Sequence, residues 1–128
     1  MEARILIVDD EQALVRLLEQ ILLLNYPDAV VDGAYSGEEA LSYLALGTYD
    51  LIVADLRMPG LDGLDLVKDV RHLDPSVPVV LMTAYGSSLV RQEALNLGVA
   101  CYLSKPFGTD EFLQVVQDCL TGQGCVYD

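Results

Sequence analysis

Ile5-Leu6-Ile7-Val8-Asp9-Asp10 is the stretch on which the fold reading turns: four apolar side chains in an unbroken row, then two acids. A strand with one wetted face alternates polar and apolar residues. An unbroken row suits a strand buried on both faces, as in a parallel sheet. The signature returns at Leu51–Ala54 before Asp55 and at Val79–Met82 before Thr83. Two weaker runs, Ala29–Val31 and Ala100–Leu103, bring the expected strands to five.

Helical patterns separate these runs. Leu14, Leu17, Leu18, Ile21 and Leu22 repeat at helical spacing. Ser36 with Glu39 reads as a capping box opening a helix through Leu46, which Gly47 ends. Leu64, Val67 and Val70 mark a third helix closed by Asp74-Pro75. Val90, Ala94, Leu95 and Leu97 mark a fourth, ended by Gly98. Thr109 is expected to cap a fifth that buries Phe112, Leu113, Val116 and Leu120. Alternating strands and helices with right-handed crossovers imply an α/β fold. The expected form is a doubly wound five-stranded parallel sheet of flavodoxin-like order 2-1-3-4-5, with five helices on both faces. Residues 1–121 are expected to form the domain, with 122–128 a tail or the start of a linker.

Composition narrows the function. A chain of 128 residues, 52% hydrophobic, is large enough for one self-sufficient core. No apolar run approaches the roughly 20 residues of a membrane span, and the first residues lack a signal-peptide pattern, so a cytoplasmic domain without membrane contact is expected. A net charge of -13 with seven scattered basic residues argues against direct nucleic-acid binding. Cys101, Cys119 and Cys125 show no metal-binding or disulfide spacing. The first two fit apolar patterns as small core residues, and the third is a candidate exposed thiol. His72, the one histidine, sits near a helix end, where a positive charge suits the helix dipole.

In a doubly wound sheet, ligands bind beyond the carboxyl ends of the strands. Those ends carry Asp9-Asp10, Asp55, Thr83 and Lys105. One acid after a strand is best read as a helix cap. Two adjacent acids plus a third on a neighbouring strand exceed what capping explains. Clustered carboxylates repel and raise one another's pKa, and a hard cation such as Mg²⁺ relieves this while leaving room for a phosphoryl oxygen. Asp55 can then serve as a nucleophile toward phosphorus. Lys105, before Pro106, can offset the charge of the moving group, and the Thr83 hydroxyl can donate to it. Taken alone, Lys105 would be an ordinary surface lysine and Thr83 an ordinary strand residue. Their shared place at the strand ends favours the chemical reading.

Four ordered segments resemble the response-regulator receiver family of two-component systems: Ile5 to Glu11, Asp55 to Gly63, Met82 to Gly86, and Tyr102 to Phe107. The resemblance runs from about Arg4 to Leu120. It implies that Asp55 is the phosphoacceptor and that Asp9 and Asp10 bind Mg²⁺ together with Asp55 and the backbone carbonyl of Arg57. Thr83 and Lys105 would be the phosphate-sensing pair, and Tyr102 the aromatic switch. Arg57 and Tyr85 would influence the lifetime of the phosphoryl group. The implied donor is a sensor histidine kinase or phosphotransfer protein, and the implied catalysis is confined to the chain's own phosphorylation and dephosphorylation. Arg57-Met58-Pro59-Gly60 and Met82-Thr83-Ala84-Tyr85-Gly86 are most similar to NtrC-type regulators, which implies an output in transcription. A homodimer on phosphorylation is left open. The expected signal is that the phosphoryl group draws Thr83 inward, Tyr102 fills the space, and the surface of the fourth helix, fifth strand and fifth helix changes shape. Arg91 and Glu93 on that helix are expected to be solvated, with Arg91 a candidate for a dimer contact.

Three rival readings fit the pattern less well. A flavodoxin-like electron carrier shares the fold, but Asp9-Asp10-Glu11 would repel a flavin phosphate. A phosphatase acting through an aspartyl phosphate would need a substrate cap that this compact chain lacks. A receiver serving only as an interaction module would have no need of the intact acids, threonine and lysine.

Overall fold

The computed structural model describes residues 2–84 and 88–123; Tyr85, Gly86 and Cys125 lie outside the described residues. Five strands and five helices alternate among them: β1 (Arg4–Val8), α1 (Gln12–Asn25), β2 (Val30–Ala34), α2 (Gly37–Leu46), β3 (Leu51–Asp55), α3 (Gly63–Leu73), β4 (Val79–Thr83), α4 (Ser88–Asn96), β5 (Cys101–Ser104) and α5 (Thr109–Leu120). The sheet order is β2-β1-β3-β4-β5, and all pairings are parallel.

The unbroken apolar rows have the anticipated cause. Successive strand residues point to opposite faces, and each face meets a helix layer. Ile5, Ile7, Leu51, Val53, Val80, Met82, Cys101 and Leu103 pack with Val15, Leu18 and Leu22 of α1 and Phe112, Val116 and Cys119 of α5. Leu6, Val8, Ile52, Ala54, Val79, Leu81 and Tyr102 pack on the other face with Ala40, Leu66, Val67, Val70 and Ala94 of α2, α3 and α4.

Some expectations need correction. The second strand runs over Val30–Ala34, later than Ala29–Val31. Asp32 and Gly33 interrupted its apolar pattern. As an edge strand it tolerates them, and Gly33 admits Val15 and Glu19 of α1 against its backbone. Leu17, one of the residues at helical spacing in α1, is about half exposed, because the buried stripe is Val15, Leu18 and Leu22. Thr109 does not cap α5; Gly108 occupies the cap without a side-chain bond, and Asp110 and Glu111 supply the negative charge that the helix start favours. The capping box of α2 is half as drawn. Ser36 Oγ accepts from Glu39 N–H at 3.0 Å, but Glu39 Oε1 accepts from Tyr35 N–H at 3.1 Å rather than from Ser36.

Candidate functional site

The parallel register brings the strand ends to one rim. Val8 pairs with Ala54 and Asp55 with Met82, so Asp9 and Asp55 leave the sheet beside each other. Thr83 ends β4 opposite Ser104, and its carbonyl accepts from Lys105 N–H at 2.7 Å. The Lys105–Pro106 peptide is cis.

Asp9, Asp10 and Asp55 each offer a carboxylate oxygen, and these oxygens lie within 4.8 Å of one another. Asp9 is 1% exposed and Asp55 8% exposed, whereas Asp10 is open to solvent. Asp9 serves two partners at once. Its Oδ1 accepts from Glu11 N–H at 2.9 Å, and its Oδ2 accepts from the Lys105 ammonium at 2.8 Å. Asp9 does not cap α1, whose cap is Glu11 without a side-chain bond; the Oδ1 contact to Glu11 N–H is a local turn bond. Lys105 Nζ also stands 3.4 Å from Asp55 Oδ1.

Burial pushes the Asp55 carboxyl up from its ordinary value. Asp9 and, less, Asp10 push the same way, and Lys105 pulls it down. For Lys105, burial works against the ammonium, but hydrogen bonding and attraction from Asp9, then Asp55, outweigh it and raise its pKa. The site thus holds three acids against one nearby cation, a deficit that a divalent ion would fill. An all-oxygen donor set with one solvent-open carboxylate suits a hard cation that retains water, the preference of Mg²⁺.

Gly63 sets the distance between α3 and the site. A Cβ there would fall 2.5 Å from the Asp55 carbonyl oxygen and 2.8 Å from Leu56 Cα. With no side chain at that position, α3 starts against the end of β3, where Gly63 N–H donates to Leu56 O at 2.9 Å. Asp62 caps α3 by accepting from Asp65 N–H at 2.9 Å, a cap that the apolar pattern did not reveal. Arg57 lies two residues past Asp55 in the connecting loop, its side chain exposed.

The Tyr102 ring is buried, 7% exposed, because the pairing with Leu81 turns it toward the face covered by α3 and α4. The Tyr102 hydroxyl is buried, with no hydrogen-bond partner among the described residues. Arg91, expected in solvent, lies with its guanidinium carbon 5.4 Å from the Tyr102 ring centroid. Glu93 is half exposed and pairs with Lys68 at 3.6 Å. Sequence reading also passed over Arg71, which donates to the carbonyls of Val77 at 2.8 Å, Leu97 at 3.1 Å and Gly98 at 3.0 Å, tying the end of α3 to the turn before β5. His72 is exposed beside it in the last turn of α3.

An open apolar groove of about 330 Å³ ends at Lys105, lined by Leu14, Leu17, Ile21, Pro106, Phe107 and Phe112. This explains the half-exposed Leu17. No helix among the described residues is long and apolar enough to cross a membrane.

The parallel sheet of this order gathers acids, threonine and lysine at one rim, and comparison with known proteins gives the family. The chain belongs to the response regulator receiver domain family, whose profile matches residues 5–117. It is 41% identical over 124 residues to the response regulator protein FleR of Pseudomonas aeruginosa, one of the NtrC-like regulators among its relatives. That match covers 96% of this chain and 26% of FleR, so the chain spans about a quarter of that relative. It is 33% identical to sporulation initiation phosphotransferase F of Bacillus subtilis, over 94% of this chain and 95% of that protein. The fold is similar to that of the response regulator TrrA of Thermotoga maritima in complex with Mg²⁺-BeF, with a TM-score of 0.81, 35% identity, and coverage of 94% of this chain and all of that one.

Proposed function

We propose that residues 1–121 form a receiver unit in which Asp55 accepts a phosphoryl group with Mg²⁺ held by Asp9, Asp10, Asp55 and the Arg57 carbonyl. The single observation that carries this reading is the convergence of the three carboxylates within 4.8 Å, with Lys105 on two of them. Bound there, Mg²⁺ would offset the charge of the phosphoryl oxygens. In the transfer an Asp55 carboxylate oxygen bonds to phosphorus, and the bond from phosphorus to a donor imidazole nitrogen breaks. The electron pair returns to that nitrogen. Lys105 neutralises charge on the group, and the Thr83 hydroxyl donates to it. Water attacking the same phosphorus reverses the modification, so the chain acts on no external substrate beyond its phosphodonor.

The donor in this reading is a histidine kinase or phosphotransfer protein. It would rest on the apolar groove beside Lys105 while its imidazole reaches Asp55. The readout is a shift in the population of two arrangements of α4, β5 and α5, biased by the phosphoryl group through Thr83 and Tyr102. Because the ring is already inside, phosphorylation acts by firming a setting the domain can reach unaided. The output is control of transcription in the cytoplasm, with dimerisation through this surface as one route to it.

The test is incubation with acetyl phosphate and Mg²⁺ followed by intact mass. Gain of one phosphoryl group, lost on EDTA addition before the donor and absent from Asp55→Asn, is the expected result. No gain in the parent chain, or an equal gain in the variant, overturns the reading.

A further inference from the structure

Tyr102 presents an imbalance. Its hydroxyl is buried without a partner among the described residues, an arrangement that ordinarily favours turning the phenol out to water. Something must oppose that tendency, and the groups touching the ring from α4 are the place to look. Arg91 sets its guanidinium over the ring face, 5.4 Å from the centroid. It forms no ion pair among the described residues, so its charge is committed to no acid there. The negative face of an aromatic ring attracts such a cation, and the flat guanidinium also stacks on it.

We propose that Arg91 is a positioning residue for Tyr102: its guanidinium clasps the phenol ring inward and couples α4 to β5, setting how easily the domain takes its signalling arrangement. This inference rests on the reading of Tyr102 as the residue that relays the state of Asp55. A partly exposed contact of this kind shifts an equilibrium roughly two- to fivefold. Because the inward ring is the setting that the phosphoryl group favours, loosening the clasp lowers affinity for a phosphoryl mimic by up to the same factor.

The probes are beryllofluoride with Mg²⁺, and ¹⁹F resonances of the chain labelled with 3-fluorotyrosine, the Tyr102 signal being assigned by its loss in Tyr102→Phe. In Arg91→Met the Tyr102 resonance should move or broaden, and beryllofluoride affinity should fall about two- to fivefold. Arg91→Lys, which keeps the cation and loses the flat stack, should fall between. In a Tyr102→Ala background, Arg91→Met should change affinity no further. If Arg91→Met leaves both the resonance and the affinity unchanged, or weakens binding equally without Tyr102, the clasp is refuted while the receiver reading stands. If the parent chain fails to bind beryllofluoride at all, the receiver reading falls and takes this inference with it.

Discussion

Replacing Lys105 by Met tests the electrostatics of the rim directly. The ammonium bonds Asp9 at 2.8 Å and stands 3.4 Å from Asp55, and Asp9 is almost fully buried. Met fills similar space with no charge. The buried carboxylate is then left against two other acids. Breaking a buried pair by removing one partner costs about 3–5 kcal/mol, and the lower end applies because Lys105 keeps partial contact with water. An unfolding entropy of about 2.1 cal/mol/K per residue over 128 residues gives about 0.27 kcal/mol/K. A loss of about 3 kcal/mol therefore lowers Tm by about 11 °C. The sign with pH follows from Asp55, whose folded pKa already lies above its unfolded one and rises further once Lys105 no longer pulls it down. Above the ordinary carboxyl value the folded state then binds more protons than the unfolded state, and stability rises as pH falls. In the parent chain Lys105, with its pKa raised, stays charged through neutrality; its contribution is lost only as pH climbs through the raised value. The variant's deficit should accordingly shrink between about pH 8 and about pH 5. Thermal melts by circular dichroism at both pH values, with EDTA present, measure it. A loss under about 3 °C, or an equal loss at both pH values, would refute the account of Lys105 as the counter-charge to Asp9.

Metal should stabilise the parent: at Mg²⁺ a hundredfold above its Kd the gain is about 2.7 kcal/mol, or about 10 °C in Tm, reversed by EDTA. Asp10→Asn, at a solvent-open position, should weaken that response while shifting the metal-free Tm by no more than about 2 °C. Gly63→Ala drives a Cβ onto backbone atoms that cannot yield, costing about 1–3 kcal/mol by melts and slowing acetyl phosphate uptake by moving Asp55. Arg71→Met leaves four carbonyls without this donor; a loss of about 2 kcal/mol is expected, with faster amide exchange across Leu97–Val99.

The apolar rows were enough to define the architecture, because a strand covered on both sides has no polar position to spare. Each row ends where the sheet ends, so Asp9, Asp10, Asp55, Thr83 and Lys105 are legible as rim residues from the sequence. The edge strand was less legible. One side of β2 has no neighbouring strand, and Asp32 and Gly33 survive there without betraying a strand. The helix caps divided in the same way. Ser36 announced itself by residue type and spacing, whereas Gly108 displaced Thr109 because the backbone path after Pro106, which no local pattern encodes, fixes where α5 begins.

What the sequence determined by itself is the order of elements and the list of groups at the rim, since both follow from hydrophobic period and chain position. Only tertiary structure decided how those groups share charge: that Asp9 divides its oxygens between Glu11 and Lys105, that Arg71 ties three separate segments, and that Arg91 lies over an inward Tyr102. Each is a contact between residues held on different elements, and its existence depends on register and helix rotation. A one-dimensional pattern carries no term for either.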